Sequence, residues 1–187
     1  MLSRSDIVAL AERPDRVALR ADLAAFFGPR ADTYIRTAER ALDAAKVGRR
    51  FVLFWSWPVF WSWFIWFAYR RRYGEAILAF VVFVVADEVD ALWPETLGLV
   101  STLAYLAICL FAKPAYLRAA FGAIARVDAR GLTGDKRSDA LAEMGGVSNT
   151  SAAAGLGALV ATIAAWTAIR LPEIVAQADA WGLLPPQ

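Results

Sequence analysis

From Phe51 onward the chain alternates long apolar runs with polar breaks, whereas the first fifty residues mix the two at helical spacing. Residues 3–12 and 14–27 read as short amphipathic helices. Pro14 suits a first-turn position, and Gly28-Pro29 stops the second helix. A longer helix is expected over 31–47, with Asp32 near its start. Tyr34, Ile35, Ala38, Leu42 and Ala45 recur there at spacings of three and four, an apolar stripe with Arg36, Glu39, Arg40 and Asp43 off it. Lys46, Arg49 and Arg50 close this arm. Four apolar stretches follow, at 51–69, 74–93, 96–112 and roughly 151–169. Each is near the roughly 20 residues that cross a bilayer as a helix. Between the last two lies a polar region, 113–150, whose Tyr116, Ala120, Ile124 and Val127 share one helical face before a break at 131–137. The pattern divides the chain into an amphipathic helical arm (1–50), a membrane domain (51–170) with a helical loop at 113–150, and a tail (171–187).

The first apolar stretch differs from the others. FVLFWSWPVFWSWFIWFAY, 51–69, holds eleven aromatic side chains, five of them tryptophan, and Arg70, Arg71 and Arg72 follow at once. So much aromatic surface must meet lipid, yet tryptophan prefers the headgroup boundary to the hydrocarbon centre. Basic flanks stay on the cytoplasmic side of a membrane. If all four stretches span, the twenty lysines and arginines divide eleven to nine and give no orientation. If 51–69 stays on one side and the other three span, they divide nineteen to one. The expected fold is therefore an all-α membrane protein: amphipathic N-terminal helices, an aromatic re-entrant or in-plane segment, and three transmembrane helices, four being the alternative. Pro58, which lacks a backbone donor, supplies the expected break in the aromatic segment. The N-terminus is then cytoplasmic and the C-terminus exterior.

Composition narrows the chemistry. Hydrophobic residues make up 59% of the chain and mean hydropathy is +0.45, while the net charge of +2 is too small to argue for nucleic acid. Histidine is absent, which removes imidazole ligands, histidine bases and every Ser-His or Cys-His nucleophile pair. The single cysteine, Cys109, excludes an internal disulfide. MLSRSDIVALAERPDR is broken by charge every few residues, so no cleavable signal is expected at the start. No catalytic, cofactor or metal set emerges.

The stretch WSWPVFWSWFIWFAYRRRY, 55–73, resembles the signature of a bacterial inner-membrane family, domain of unknown function 2628, whose aromatic run is typically FNWAAFFFGPFWLFYRKMY. Trp57, Phe60, Trp66, Tyr69, Arg70 and Tyr73 coincide with it. Phe26-Phe27-Gly28-Pro29 and Tyr34 resemble the family's FxGP…Y approach, and Gly145-Gly146-Val147-Ser148 its GG-x-S entry to the last apolar segment. The resemblance spans roughly 22–165. Ser56 stands where the family usually has asparagine, and Trp63-Phe64 replaces its Gly-Pro. It implies a small multi-pass protein of the bacterial inner membrane and carries no activity.

Three groups of residues are candidates for function. Trp55, Trp57, Trp61, Trp63, Trp66 and Tyr69, with Arg70, Arg71 and Arg72, form an expected membrane-interface or partner surface; basic residues there attract anionic lipid by about 1 kcal/mol each. Ser151, Ala153, Ala154, Gly155, Gly157 and Ala158 make small pairs four apart that let helices approach closely in lipid, within the chain or with a partner. Asp87, Glu88 and Asp90 lie in an apolar helix and are read as boundary residues beside Trp93, as partners of a basic residue on a neighbour, or as an ion path. The expectation is an accessory subunit or scaffold that associates with the bilayer and with a membrane protein complex or a second copy. It is not expected to be an enzyme or to hold a cofactor, and a small oligomeric transporter using the three acids is the alternative.

Overall fold

A computed structural model of the chain describes residues 4–29, 31–48 and 54–180. Arg49, Arg50, the first three positions of the aromatic stretch (51–53) and the end of the tail (181–187) lie outside them. Every regular element among the described residues is helical, and none is a strand. In chain order they form α1 (Arg4–Ala11), α2 (Arg16–Phe27), α3 (Ala31–Lys46), α4 (Trp57–Ser62), α5 (Phe64–Tyr69), α6 (Tyr73–Leu92), α7 (Leu99–Ala129), α8 (Gly134–Met144) and α9 (Asn149–Ala180). One 3₁₀ turn, Pro94–Thr96, joins α6 to α7.

Local chemistry explains the boundaries of the arm. Asp15 caps α2 by accepting a hydrogen bond from the Ala18 amide at 2.8 Å, so the helix begins at Arg16 and Pro14 falls just before the cap instead of in the first turn. Gly28 ends α2 at φ +63°, a conformation open to glycine, and its amide returns to the Ala24 carbonyl. In α3 the expected stripe is used: Tyr34, Ala38 and Leu42 are buried. On α7, Tyr116, Ala120, Ile124 and Val127 are buried as their spacing predicts.

Two sequence expectations need correction. The boundary at 112/113 is absent, because α7 runs unbroken from Leu99 to Ala129 with Pro114 inside it. Proline forfeits one backbone bond there, yet burial of Ala112, Tyr116 and Leu117 around it holds the helix. The aromatic stretch does not break at Pro58, which lies in the first turn of α4, where a missing donor is harmless. It breaks at Trp63, whose φ of +48° separates α4 from α5.

Two kinds of packing meet in this chain. The arm, the second half of α7 and α8 enclose a core of Leu19, Leu23, Phe26, Phe27, Leu42, Phe121, Ile124 and Leu141. An alternating quartet of charges locks its rim. Asp22 receives both Arg137 Nε (2.7 Å) and Nη2 (2.6 Å), and Arg137 also reaches Asp128 at 2.8 Å. Arg13 pairs with Asp128 and with Asp22. A forked arginine on a buried carboxylate is a strong and directional contact.

The other part reverses the soluble rule. α6 turns Ala76, Ala79 and Ala86 inward and leaves Ile77, Leu78, Val81, Val82, Val84 and Val85 exposed. α9 touches α5 near its start, while Val160, Ile163, Trp166 and Ile169 stand exposed. α7 and α9 each contain a stretch long and apolar enough to cross a membrane.

Candidate functional site

The two halves of the molecule are joined at Arg70. It ends α5, and its residue is only 4% exposed. Its Nη1 donates to the Phe27 carbonyl at 2.7 Å and lies 3.4 Å from the Tyr116 hydroxyl. The guanidinium carbon sits 4.6 Å from the centre of the Tyr34 ring, 5.4 Å from that of Tyr116 and 5.5 Å from that of Tyr69. Among the described residues no carboxylate pairs with it, and its Nε has no partner. Its charge is instead met by three aromatic faces and by the negative end of α2, whose last carbonyl is that of Phe27. Trp66 completes the enclosure: its Nε1 donates to the Tyr34 hydroxyl at 3.3 Å, and its ring meets Tyr116 edge-on.

The start of α9 closes on the same place. The Gly146 amide donates to the Phe26 carbonyl at 2.7 Å, and the Ser148 amide to the Tyr69 carbonyl at 2.8 Å. Gly145 is buried against Phe26, where a Cβ would lie 2.8 Å from ring atoms and overlap the carbonyl oxygen. Three distant sequence segments, 26–34, 66–70 and 145–148, thus converge around one guanidinium. Arg70 was expected on a basic collar; the structure puts it inside, with Arg71 exposed and Arg72 paired to Glu75. Its partners could not be read from the sequence, since Phe27 and Tyr116 are 43 and 46 residues away.

The aromatic residues divide likewise. Trp57 and Trp61 are exposed, Trp55 and Trp63 half-buried, Trp66 buried. α4 and α5 have six residues each, about 9 Å apiece, against a hydrocarbon core of about 30 Å. α4 and the residues just before it hang on α7 by their carbonyls: Tyr105 donates to Phe60 O, and Lys113 Nζ to Trp55 O at 2.8 Å. Beside them opens a cleft of about 510 Å³ between α4, α5, α6, α7 and α9. Trp63, whose ring stands edge-on to Phe83 at 4.6 Å, forms part of its wall.

The three acids are placed differently. Asp90 points across to α7, whose first residues lack a capping side chain because Gly98 stands there. Its Oδ1 accepts from the Thr96 hydroxyl (2.6 Å) and the Val100 amide (3.1 Å), and its Oδ2 from the Ser101 amide (2.7 Å). Asp90 is thus a cap supplied from the preceding helix. Asp87 and Glu88 are exposed at the same end. Among the described residues no group of histidine, cysteine or carboxylate side chains is arranged to hold a metal ion.

The small residues of α9 use two faces. Ser151 bonds the Tyr73 hydroxyl at 2.7 Å, and a Cβ on Gly155 would lie 3.3 Å from that of Ala68. That pair packs within the chain. Ala153, Ala154, Gly157 and Ala158 are exposed, with nothing within 4 Å of a Cβ placed on Gly157. Searches against protein-family models, curated proteins and solved structures return no match for this chain.

Proposed function

We propose that this chain is an integral protein of the bacterial inner membrane, an accessory subunit or scaffold whose activity is association with lipid and with another membrane helix. α6, the first half of α7, and α9 cross the bilayer. α4 and α5 enter and leave on the cytoplasmic side, where the arm and α8 also lie. The observation that carries the reading is the reversed burial of α6, with small residues inward and large aliphatic ones outward, beside the exposed Val160, Ile163 and Ile169 of α9. Water would oppose such a surface, and hydrocarbon would not. The end of the α6–α7 hairpin adds support: it carries Asp87, Glu88, Asp90 and Glu95 and no lysine or arginine, as an exterior loop does. The resemblance to domain of unknown function 2628 belongs to the same reading, supported by the meeting of its three motifs at Arg70.

The partner helix seats on the exposed Ala153–Gly157 and Ala154–Ala158 face of α9, where backbones can come close. Native mass spectrometry after extraction in mild detergent tests this. A homo- or hetero-complex is expected, dispersed by Gly157→Leu without loss of the fold. A partner-free monomer across several mild detergents and after crosslinking overturns it. The transporter alternative is less supported, because both oxygens of Asp90 are already engaged in capping α7.

A further inference from the structure

We infer that Arg71 holds the phosphate of an anionic phospholipid, of phosphatidylglycerol type, in the cytoplasmic leaflet. The inference rests on the membrane reading above, which sets the turn between α5 and α6 at the headgroup level. The arginines of that turn are used differently. Arg70 is enclosed by aromatic rings, and Arg72 is paired to Glu75. Arg71 is exposed, and among the described residues its guanidinium has no partner. Since no described carboxylate pairs with Arg70 either, the turn carries positive charge that the chain itself leaves uncompensated. Basic residues placed so attract anionic headgroups.

The backbone at Arg71 supplies the second argument. Its amide donates to the Ala68 carbonyl at 3.0 Å, and the Arg72 amide to the Phe67 carbonyl at 2.8 Å. Those bonds are a Schellman closure of α5, and Arg71 holds the position past the helix end that glycine usually fills. Its φ is +55°, a conformation that opposes any residue with a Cβ. Contacts to α9 pin the chain on either side: the Tyr69 carbonyl accepts from the Ser148 amide, and the Tyr73 hydroxyl bonds Ser151. The fold therefore favours glycine at 71, whereas an anion at the bilayer surface favours arginine. A planar guanidinium meets two phosphate oxygens at once. In phosphatidylglycerol that phosphate is the sole charge of the headgroup, while in phosphatidylcholine an ammonium accompanies it.

Native mass spectrometry of the full chain, released from nanodiscs of mixed phosphatidylglycerol and phosphatidylcholine, reads the lipid retained. Wild type is expected to retain phosphatidylglycerol preferentially. Arg71→Gly should lower that preference about fivefold, the factor that one basic residue of about 1 kcal/mol supplies. In phosphatidylcholine alone the same variant should melt about 2–4 °C higher, because glycine relieves the left-handed backbone. Arg71→Gln keeps the strain and removes the charge, so it should lose the preference and leave the midpoint unchanged. A preference that survives in both variants overturns the proposal. So does a lower midpoint for Arg71→Gly, since the arginine would then serve the fold. Displacement of phosphatidylglycerol by inorganic phosphate also overturns it, because the site would then take a free anion. A chain that enters nanodiscs yet prefers neither lipid refutes this inference and leaves the membrane reading standing; one that stays outside them refutes both.

Discussion

Arg70 and Phe27 are 43 residues apart, yet the guanidinium of one donates to the main-chain carbonyl of the other at 2.7 Å, in a site that excludes water. The bond links the end of an aromatic half-helix to the end of a helix in the arm. Arg70→Leu should therefore loosen the arm from the rest of the chain. The loss of a charged hydrogen bond and its aromatic contacts costs about 2–4 kcal/mol. Arg70→Lys should rescue little, since an ammonium lacks the flat fork that reaches Phe27 while lying on Tyr34. Thermal unfolding in detergent and limited proteolysis check this: a lower midpoint with earlier cleavage after Lys46 is expected, and wild-type behaviour would refute it.

Gly145 and Gly157 make a matched pair of opposite sign. Alanine at 145 collides with Phe26, an overpacking worth about 1–3 kcal/mol of destabilisation. At 157 the added methyl meets open space within a helix and should leave the monomer as stable or slightly more so. Denaturation midpoints of the two variants, measured side by side, decide the matter; equal losses would contradict the packing described.

Asp90→Ala should cost about 1–2 kcal/mol, the usual value of a helix cap, because the Val100 and Ser101 amides lose their acceptor. Asp87→Ala should change stability by less than about 0.5 kcal/mol, as exposed sites do. Amide exchange at the start of α7 reports the first effect directly. If exchange there is unaffected by Asp90→Ala, the cap has been misassigned.

A small acid sensitivity should reside in the arm. Arg20 Nε donates to Glu39 at 2.6 Å, and that hydrogen bond holds the Glu39 carboxyl below its ordinary value. A carboxylate lowered in this way adds stability above its unfolded-state value, and that stability is lost as pH falls through the lowered one. Both side chains reach solvent, so the effect is modest and salt-screened. The gap in melting temperature between wild type and Glu39→Gln should narrow on going from pH 6 to pH 3. A gap that stays constant would assign the pair no role.

Much of the helical order was legible because local rules write it. The stripe of α3 and the buried face of α7 both follow from spacing alone, and Gly28 announces the end of α2. The sequence misplaced what tertiary packing decides. Pro58 looked like a breaker and is a helix starter, whereas the break falls at Trp63, a residue with no local reason to take positive φ. Pro114 and the charges after it suggested an end to the third apolar stretch, yet burial on both sides carries α7 through. Arg70 was legible as a basic residue beside an aromatic run. Its enclosure depends on Tyr34 and Tyr116, brought in from α3 and α7, and pairings at that separation leave no mark in periodicity.

Side-specific cysteine labelling tests the membrane arrangement most directly. Wild type, with Cys109 buried, sets the background. Glu95→Cys in the α6–α7 turn should react with an impermeant maleimide on intact spheroplasts, while Ser138→Cys in α8 should react only after the membrane is opened. Equal reactivity of both positions from one side would mean that the hairpin never crosses.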